Sequence, residues 1–444
     1  MRWALAWLAI VGATACGVPR QRPDIVLVTL DAARADHFSS YGCRRLTTPR
    51  LDRLAAGGAL FEDAYAHSDW TLASLGSLVT SRYPARHGAV TPLWILKPDV
   101  PTLAQVLGDA GYVTAAFTAS YFHDEKHGLG RGFATYESVE PASSDPQELT
   151  ARALRWMASN TKRPFFLWVH YFDPHAPYLA RQPWYGKFHP GRYEGKLDFS
   201  SSMDPNTVVA PGVAISEADQ AHLNALYDSE VAYTDQAIGG LLEAFTASTT
   251  LVCVTSDHGE ELKERGNIGH GLNLNRELIH VPLILAGPGI DTVGVRVRRT
   301  VQQIDVMPTL LELAGVGHDG KMDGRSLTGL LGGAERTDDA VAYAEQMESS
   351  DFLSVYSLVR QPWHLILQYA RQDGSLRGIQ LFDMERDPTE QKSLWDEKNA
   401  EHASLKRQLE AYVKTMGGPK PPAPAVAPAN PERMKELKSL GYLR

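Results

Sequence analysis

The chain has 444 residues, of which 43% are apolar, 22% charged and 9% aromatic. That composition buries a sizeable core, which excludes an intrinsically disordered chain and points to one large domain with a smaller appendage. A formal net charge of -8 and the lack of any basic block argue against nucleic acid as a partner, so an anionic ligand has to be attracted locally.

Residues 1–15 carry one early cation, Arg2, then an apolar run and small residues ahead of Cys16. This is the pattern of an export signal, and the run is too short to span a bilayer comfortably. Ala13-Thr14-Ala15-Cys16 resembles a bacterial lipobox, with Ala13 where leucine is usual. It implies cleavage before Cys16, a lipid on its sulfur and a membrane-anchored place at the bacterial cell envelope, facing the periplasm or the exterior. A buried N-terminal helix is the alternative, but the Pro- and Arg-containing stretch 16–23 reads as a tether. Of the other two cysteines, Cys43 and Cys253, the second lies in an apolar run and reads as a small buried side chain rather than half of a disulfide.

Asp24–Leu30 is a short β-branched apolar run, and similar runs recur at 165–169, 251–254 and 281–285; each reads as a buried strand. Helical texture covers 102–110, 146–159, 216–245 and 303–314. The alternation predicts an α/β fold with a mostly parallel central sheet flanked by helices, over a main domain spanning 24–335. After about residue 330 the texture changes. Runs at 355–359, 363–368 and 379–382 and a helical stretch at 401–415 predict a smaller C-terminal antiparallel sheet plus helix, over 336–416. A Pro/Ala-rich linker at 417–431 and a terminal segment at 432–444 follow.

In such sheets ligands gather beyond the carboxyl ends of the strands. That singles out Asp31, Asp173 with His175, and Asp257-His258, and His270 follows a short way downstream. Carboxylates and neutral imidazoles are the ordinary ligands of divalent ions in hydrolases. Each residue alone has a bland reading, a helix cap for an Asp or a core hydrogen bond for a His. Their shared location after separate strands is what favours a metal site.

Residues 24–36 (DIVLVTLDAARAD), 46–65 (LTTPRLDRLAAGGALFEDAY), 169–178 (VHYFDPHAPY), 256–259 (SDHG), 270–282 (HGLNLNRELIHVP), 305–315 (DVMPTLLELAG) and 381–391 (LFDMERDPTEQ) resemble, in that order, the sulfatase branch of the alkaline phosphatase superfamily. The resemblance runs through to 437–443 (LKSLGYL). It implies a metal-dependent hydrolase of sulfate or phosphate esters. Asp31, Asp257 and His258 match the family's metal ligands, and Thr71 takes the nucleophile position and supplies a further ligand oxygen. The ion is calcium by family resemblance, with manganese, zinc or magnesium also open. His175 and His270 match histidines that bind the ester's oxygens or protonate its leaving group.

Four positions depart from the family. Thr71 stands where a Cys or Ser is converted to formylglycine, Ala73 and Leu75 replace the Pro and Arg that direct the conversion, and Ala32 replaces a second aspartate. Other superfamily branches, including nucleotide pyrophosphatases and phosphoethanolamine transferases, use a threonine nucleophile. Thr71 as a helix cap is the competing reading. A catalytically degenerate envelope-binding protein and a phosphoryl-group transferase are the alternatives to hydrolysis. The expected partner is an anionic ester, with a glycan or envelope component carrying it. Trp184, Tyr185, Phe188 and Tyr193 either stack on a sugar or pack their own loop down. Arg34 and Asp36 are expected to pair locally. Arg82, Arg86 and His87 either meet the anion or face solvent, and Lys126 and His127 are further candidate basic contacts.

Overall fold

The computed structural model describes residues 22–91, 94–121, 127–141, 144–160, 164–332, 340–347 and 353–419. The expectations placed on the export signal, on Cys16, on Lys126 and on residues 420–444 lie outside the described residues. Eight strands form the main sheet: β1 (Asp24–Leu30), β2 (Ala59–Phe61), β3 (Val113–Ala119), β4 (Thr135–Val139), β5 (Phe165–Tyr171), β6 (Thr250–Ser256), β7 (Leu283–Ala286) and β8 (Val295–Val297). Their order is β8-β2-β7-β6-β1-β5-β3-β4. Only β7 runs antiparallel to its neighbours in this sheet. The mostly parallel sheet expected from the alternation is present, and β1, β5 and β6 at its centre are buried along their whole length.

Among the described residues, six helices of seven residues or more flank it: α1 (Pro49–Ala56), α2 (Thr71–Thr80), α3 (Leu103–Asp109), α4 (Pro146–Ser159), α5 (Glu217–Leu242) and α6 (Val306–Leu313). Three of them start on side-chain caps: Thr102 accepts from Gln105 N, Asp145 from Gln147 N, and Ser216 from Asp219 N. α2 is different. Trp70 at its N-cap offers no side-chain acceptor, so the first N–H groups of a fully buried helix are left for something else.

A second, antiparallel sheet follows, with strands β9 (Ala342–Gln346), β10 (Leu353–Arg360), β11 (Trp363–Ala370) and β12 (Leu376–Asp383) in sequence order, covered by α7 (Ala400–Thr415). Its core, with Tyr356, Leu365, Leu367, Leu405 and Leu409, is separate from that of the main sheet. Two buried carboxylates join it to the rest. Glu345 accepts from Ala85 N (3.0 Å) and from the Tyr412 hydroxyl. Glu390 accepts from Asn275 Nδ2 (2.8 Å), Arg276 N (3.0 Å) and His364 Nδ1 (2.6 Å). Cys43 and Cys253 are both free thiols. No helix among the described residues is long and apolar enough to cross a membrane.

Candidate active site

Strand register builds the site before any loop is involved. β1 lies between β5 and β6, with Thr29 level with His170 and with Thr255. The ladder continues one step beyond β1, because Asp31 N donates to Tyr171 O (2.8 Å) and Asp257 N to Leu30 O (3.1 Å). Side chains alternate along a strand, so Thr29, Asp31, His170, Thr255 and Asp257 share one face.

One atom each from Asp31, His170 and Asp257 lie within 4.8 Å of one another, and all three residues are buried. His170 Nε2 is 3.5 Å from Asp31 Oδ2. His258 Nε2 is 3.7 Å from Asp31 Oδ1, 3.5 Å from Asp257 Oδ2 and 3.2 Å from Thr71 Oγ1. The His258 ring is oriented by Nδ1, which lies 2.8 Å from the Gly259 carbonyl. A carbonyl only accepts, so Nδ1 carries the proton and Nε2 presents a lone pair. The same holds for His175, whose Nδ1 is 2.7 Å from the Ala176 carbonyl. The His270 ring closes the group, 4.4 Å from that of His258 and 4.9 Å from that of His175, with Nδ1 2.9 Å from Glu260 Oε1.

Burial dominates the electrostatics. It raises the Asp31 carboxyl well above its usual range, helped by the charges of Asp257 and Glu260, and pushes that of Asp257 up to about 7. It also lowers His170 to about 3, His175 to about 4 and His258 well below its ordinary value, keeping these rings neutral. Asp31 Oδ1 and Asp257 Oδ2 accept no hydrogen bond. Paired buried carboxylates with open oxygens, beside imidazole nitrogens that present lone pairs, are a donor set that fits a divalent cation.

Thr71 is the first residue of α2, and its hydroxyl faces His258 rather than a helix N–H, so the cap expected as its alternative role is not formed. The helix is held against the carboxylate loop by the Ser74 hydroxyl, which donates to the Asp257 carbonyl (2.6 Å). Gln303 Nε2 reaches the same carbonyl (3.1 Å). Ala32 adopts a left-handed backbone (φ 55°), and its N–H donates to Asp257 Oδ1 (3.0 Å). Ala73 and Leu75 are core residues of the helix.

Several expected contacts go elsewhere. Asp173 turns away from the cluster to Arg181 (2.6 Å). Arg82 and Arg86 neither meet the cluster nor stand free, because both pair with Asp323. His87 is buried between Ser77 Oγ (3.1 Å) and the Ala73 carbonyl (3.0 Å). His127 is buried, and its carbonyl accepts from Leu96 N (3.1 Å). Arg34 and Asp36 form the expected local pair (2.9 and 3.0 Å), and Arg34 also reaches Glu264 (2.5 Å). The aromatic loop packs on itself and on neighbouring elements. Tyr193 stacks on His222 of α5 at 3.8 Å, Tyr185 donates to His222 Nδ1 (2.8 Å), Trp184 leans on Tyr233, and Phe188 lies under Arg45.

Two members of the site were not singled out from the sequence, His170 and Glu260. His170 sits inside the apolar run of β5, not after it. Its parity with Thr29 becomes a signal only once the β1–β5 register is known.

Comparison with known proteins follows the same lines. The Sulfatase family model matches residues 23–316, and the model for the C-terminal part of N-sulphoglucosamine sulphohydrolase matches residues 273–416. The chain is 24% identical to the choline-sulfatase of Rhizobium meliloti, covering 83% of this chain and 81% of that protein. It is 24% identical to the delta 4,5-hexuronate-2-O-sulfatase of Bacteroides thetaiotaomicron, covering 91% of each. The crystal structure of the phosphonate monoester hydrolase of Agrobacterium radiobacter superposes with a TM-score of 0.69 at 19% identity, covering 89% of this chain and 95% of that one.

Proposed function

The chain belongs to the sulfatase family, whose characterised members hydrolyse sulfate esters, and we propose that it is itself a metal-dependent hydrolase of sulfate or phosphate esters with Thr71 as its nucleophile. The observation that carries this reading is the position of Thr71 Oγ1, 3.2 Å from His258 Nε2 at the edge of the Asp31 and Asp257 pair. Asp31, Asp257, His258 and the Thr71 oxygen would hold the ion. When bound, a divalent cation lowers the pKa of a neighbouring hydroxyl and offsets charge on the ester's non-bridging oxygens.

The chain's own residues account for the rest. Thr71 releases its proton to solvent and its oxygen bonds to the sulfur or phosphorus, while the uncapped N-terminus of α2 favours the negative charge there. The bond from that centre to the leaving oxygen breaks, and His270, held by Glu260, supplies the proton that oxygen takes up. Water then attacks the threonine ester, freeing the inorganic acid and restoring the hydroxyl. With its Nδ1 proton committed to Ala176, His175 presents an acceptor, which suits the base that takes the water's proton better than a donor to ester oxygens. The relative that acts on a hexuronate 2-O-sulfate makes a sulfated glycan the first substrate class to try. A lipid on Cys16 would hold the enzyme at the bacterial envelope, a reading supported by the sequence of residues 1–16.

The test is to determine the ion bound to purified protein and to assay aryl sulfate, phosphate monoester and phosphate diester substrates beside Thr71→Ala. A metal-loaded protein whose turnover falls at least about a thousandfold in the variant supports the reading. Wild type and variant equally inert, with no metal bound, would replace it with a binding protein that keeps the fold.

A further inference from the structure

We propose that His170 is a direct ligand of the divalent ion, so that the site offers two imidazole nitrogens beside its carboxylates and selects zinc or another imidazole-favouring transition ion over calcium. The inference rests on the metal-dependent reading above and deepens it.

The two oxygens of Asp31 face different rings, Oδ1 towards His258 Nε2 at 3.7 Å and Oδ2 towards His170 Nε2 at 3.5 Å. These separations are longer than an N–H···O hydrogen bond, which runs about 2.7–3.2 Å. They match two ligands on one ion: donors roughly 2.1 Å from a tetrahedral centre stand about 3.4 Å apart. His258 Nε2 and Asp257 Oδ2 repeat the same spacing at 3.5 Å. Both open oxygens, Asp31 Oδ1 and Asp257 Oδ2, belong to this set.

The far side of the ring is built for the same task. His170 Nδ1 lies 2.8 Å from Thr29 Oγ1, and Trp168 Nε1 donates to that oxygen at 2.9 Å. A hydroxyl oxygen has two lone pairs, so Thr29 can accept from both N–H groups and leave His170 Nε2 to bind. A hydrogen-bonded second nitrogen is the usual mark of a metal-bound histidine. Ala32, the neighbour of Asp31, contributes only backbone. Calcium takes six to eight oxygens, whereas imidazole suits zinc and the later transition ions.

The test reads the ion rather than turnover. The full chain is stripped with a chelator and reloaded with Mn2+, and pulsed EPR then counts the nitrogens coupled to the ion. Two inequivalent imidazole nitrogens are expected in the wild type and one in His170→Ala. In competition with a chelating dye, Thr29→Val should hold Zn2+ and Mn2+ about 10–100-fold more weakly than wild type, and His170→Ala should lose at least as much. A single coupled imidazole in the wild type, or unchanged affinities in both variants, overturns the assignment of His170 while leaving the hydrolase reading intact. A wild type that binds no divalent ion overturns both. If His170→Ala does not fold, the wild-type nitrogen count and Thr29→Val decide the matter alone.

Discussion

Glu260 Oε1 lies 2.9 Å from His270 Nδ1, with the Glu260 side chain fully buried and that of His270 only 7% exposed. An acceptor in that position fixes the ring with a proton on Nδ1, so Nε2 is the nitrogen that would face the substrate.

Glu260→Gln should therefore separate substrates by leaving group. Esters of acidic phenols, which depart without help, should lose less than about tenfold in kcat/KM, and alkyl esters about a hundredfold or more. Equal losses across a leaving-group series would assign Glu260 to structure alone.

Gly259→Ala should loosen the Asp257–Gly259 loop proposed to hold the ion. A Cβ there would stand 2.0 Å from the Glu277 carbonyl, which belongs to backbone and cannot step aside, and Gly259 N already donates to Leu278 O (2.8 Å). Overpacking of this kind costs about 1–3 kcal/mol, and the displaced neighbour is His258. Chemical denaturation and metal content should fall together, and a variant as stable and as well loaded as wild type would refute the argument.

Glu345→Gln should stabilise the protein in alkaline solution. Burial pushes the Glu345 carboxyl up to about 7, so the folded chain keeps a proton that the unfolded chain has already lost between about pH 4.5 and 7. Stability from this group falls by about 1.4 kcal/mol for each pH step of one across that window and levels off above it. A glutamine can accept from Ala85 N and donate to the Tyr412 oxygen without ionising. Urea unfolding should show the variant close to wild type near pH 4.5 and a few kcal/mol more stable at pH 8, and an advantage independent of pH would count against a raised Glu345 carboxyl.

Chelation should lower the melting temperature. An ion that binds only the folded chain stabilises it by about 2.7 kcal/mol at a hundred times its Kd. Buried Asp31 and Asp257, the proposed ligands, would lose their counter-charge when it leaves. Paired thermal scans with and without EDTA, followed by readdition of Mn2+, should give a drop and its recovery. Coincident scans would mean that no ion supports the fold.

The sequence marked Asp31, Asp257 and His258 because all three follow apolar strands, and the structure brings them together with Thr71. The same rule put forward Asp173, which turns to Arg181 instead. Whether a polar residue after a strand faces a cleft or a neighbouring cation depends on partners far away in the chain. His170 shows the opposite case, hidden among apolar residues because only the β1–β5 register fixes its face. The central strands were legible from their β-branched runs. β3, rich in alanine, and β4, half exposed, carry weaker patterns and owe their place to pairing with neighbours. For Trp184, Tyr185, Phe188 and Tyr193 the sequence left two uses open, and contacts with α5 and Arg45 favour packing.

Glu390 bonds at once to His364 on the small sheet and to Asn275 and Arg276, which lie a few residues beyond His270 in the chain. The two sheets are therefore poor candidates for independent inheritance. A chimaera that took its small sheet from a distant relative would have to bring a matching acid to the same buried point, or leave Asn275 and His364 facing each other across a gap. Recombination within such a lineage is constrained to crossovers that move the Asn275 loop and the Glu390 turn together.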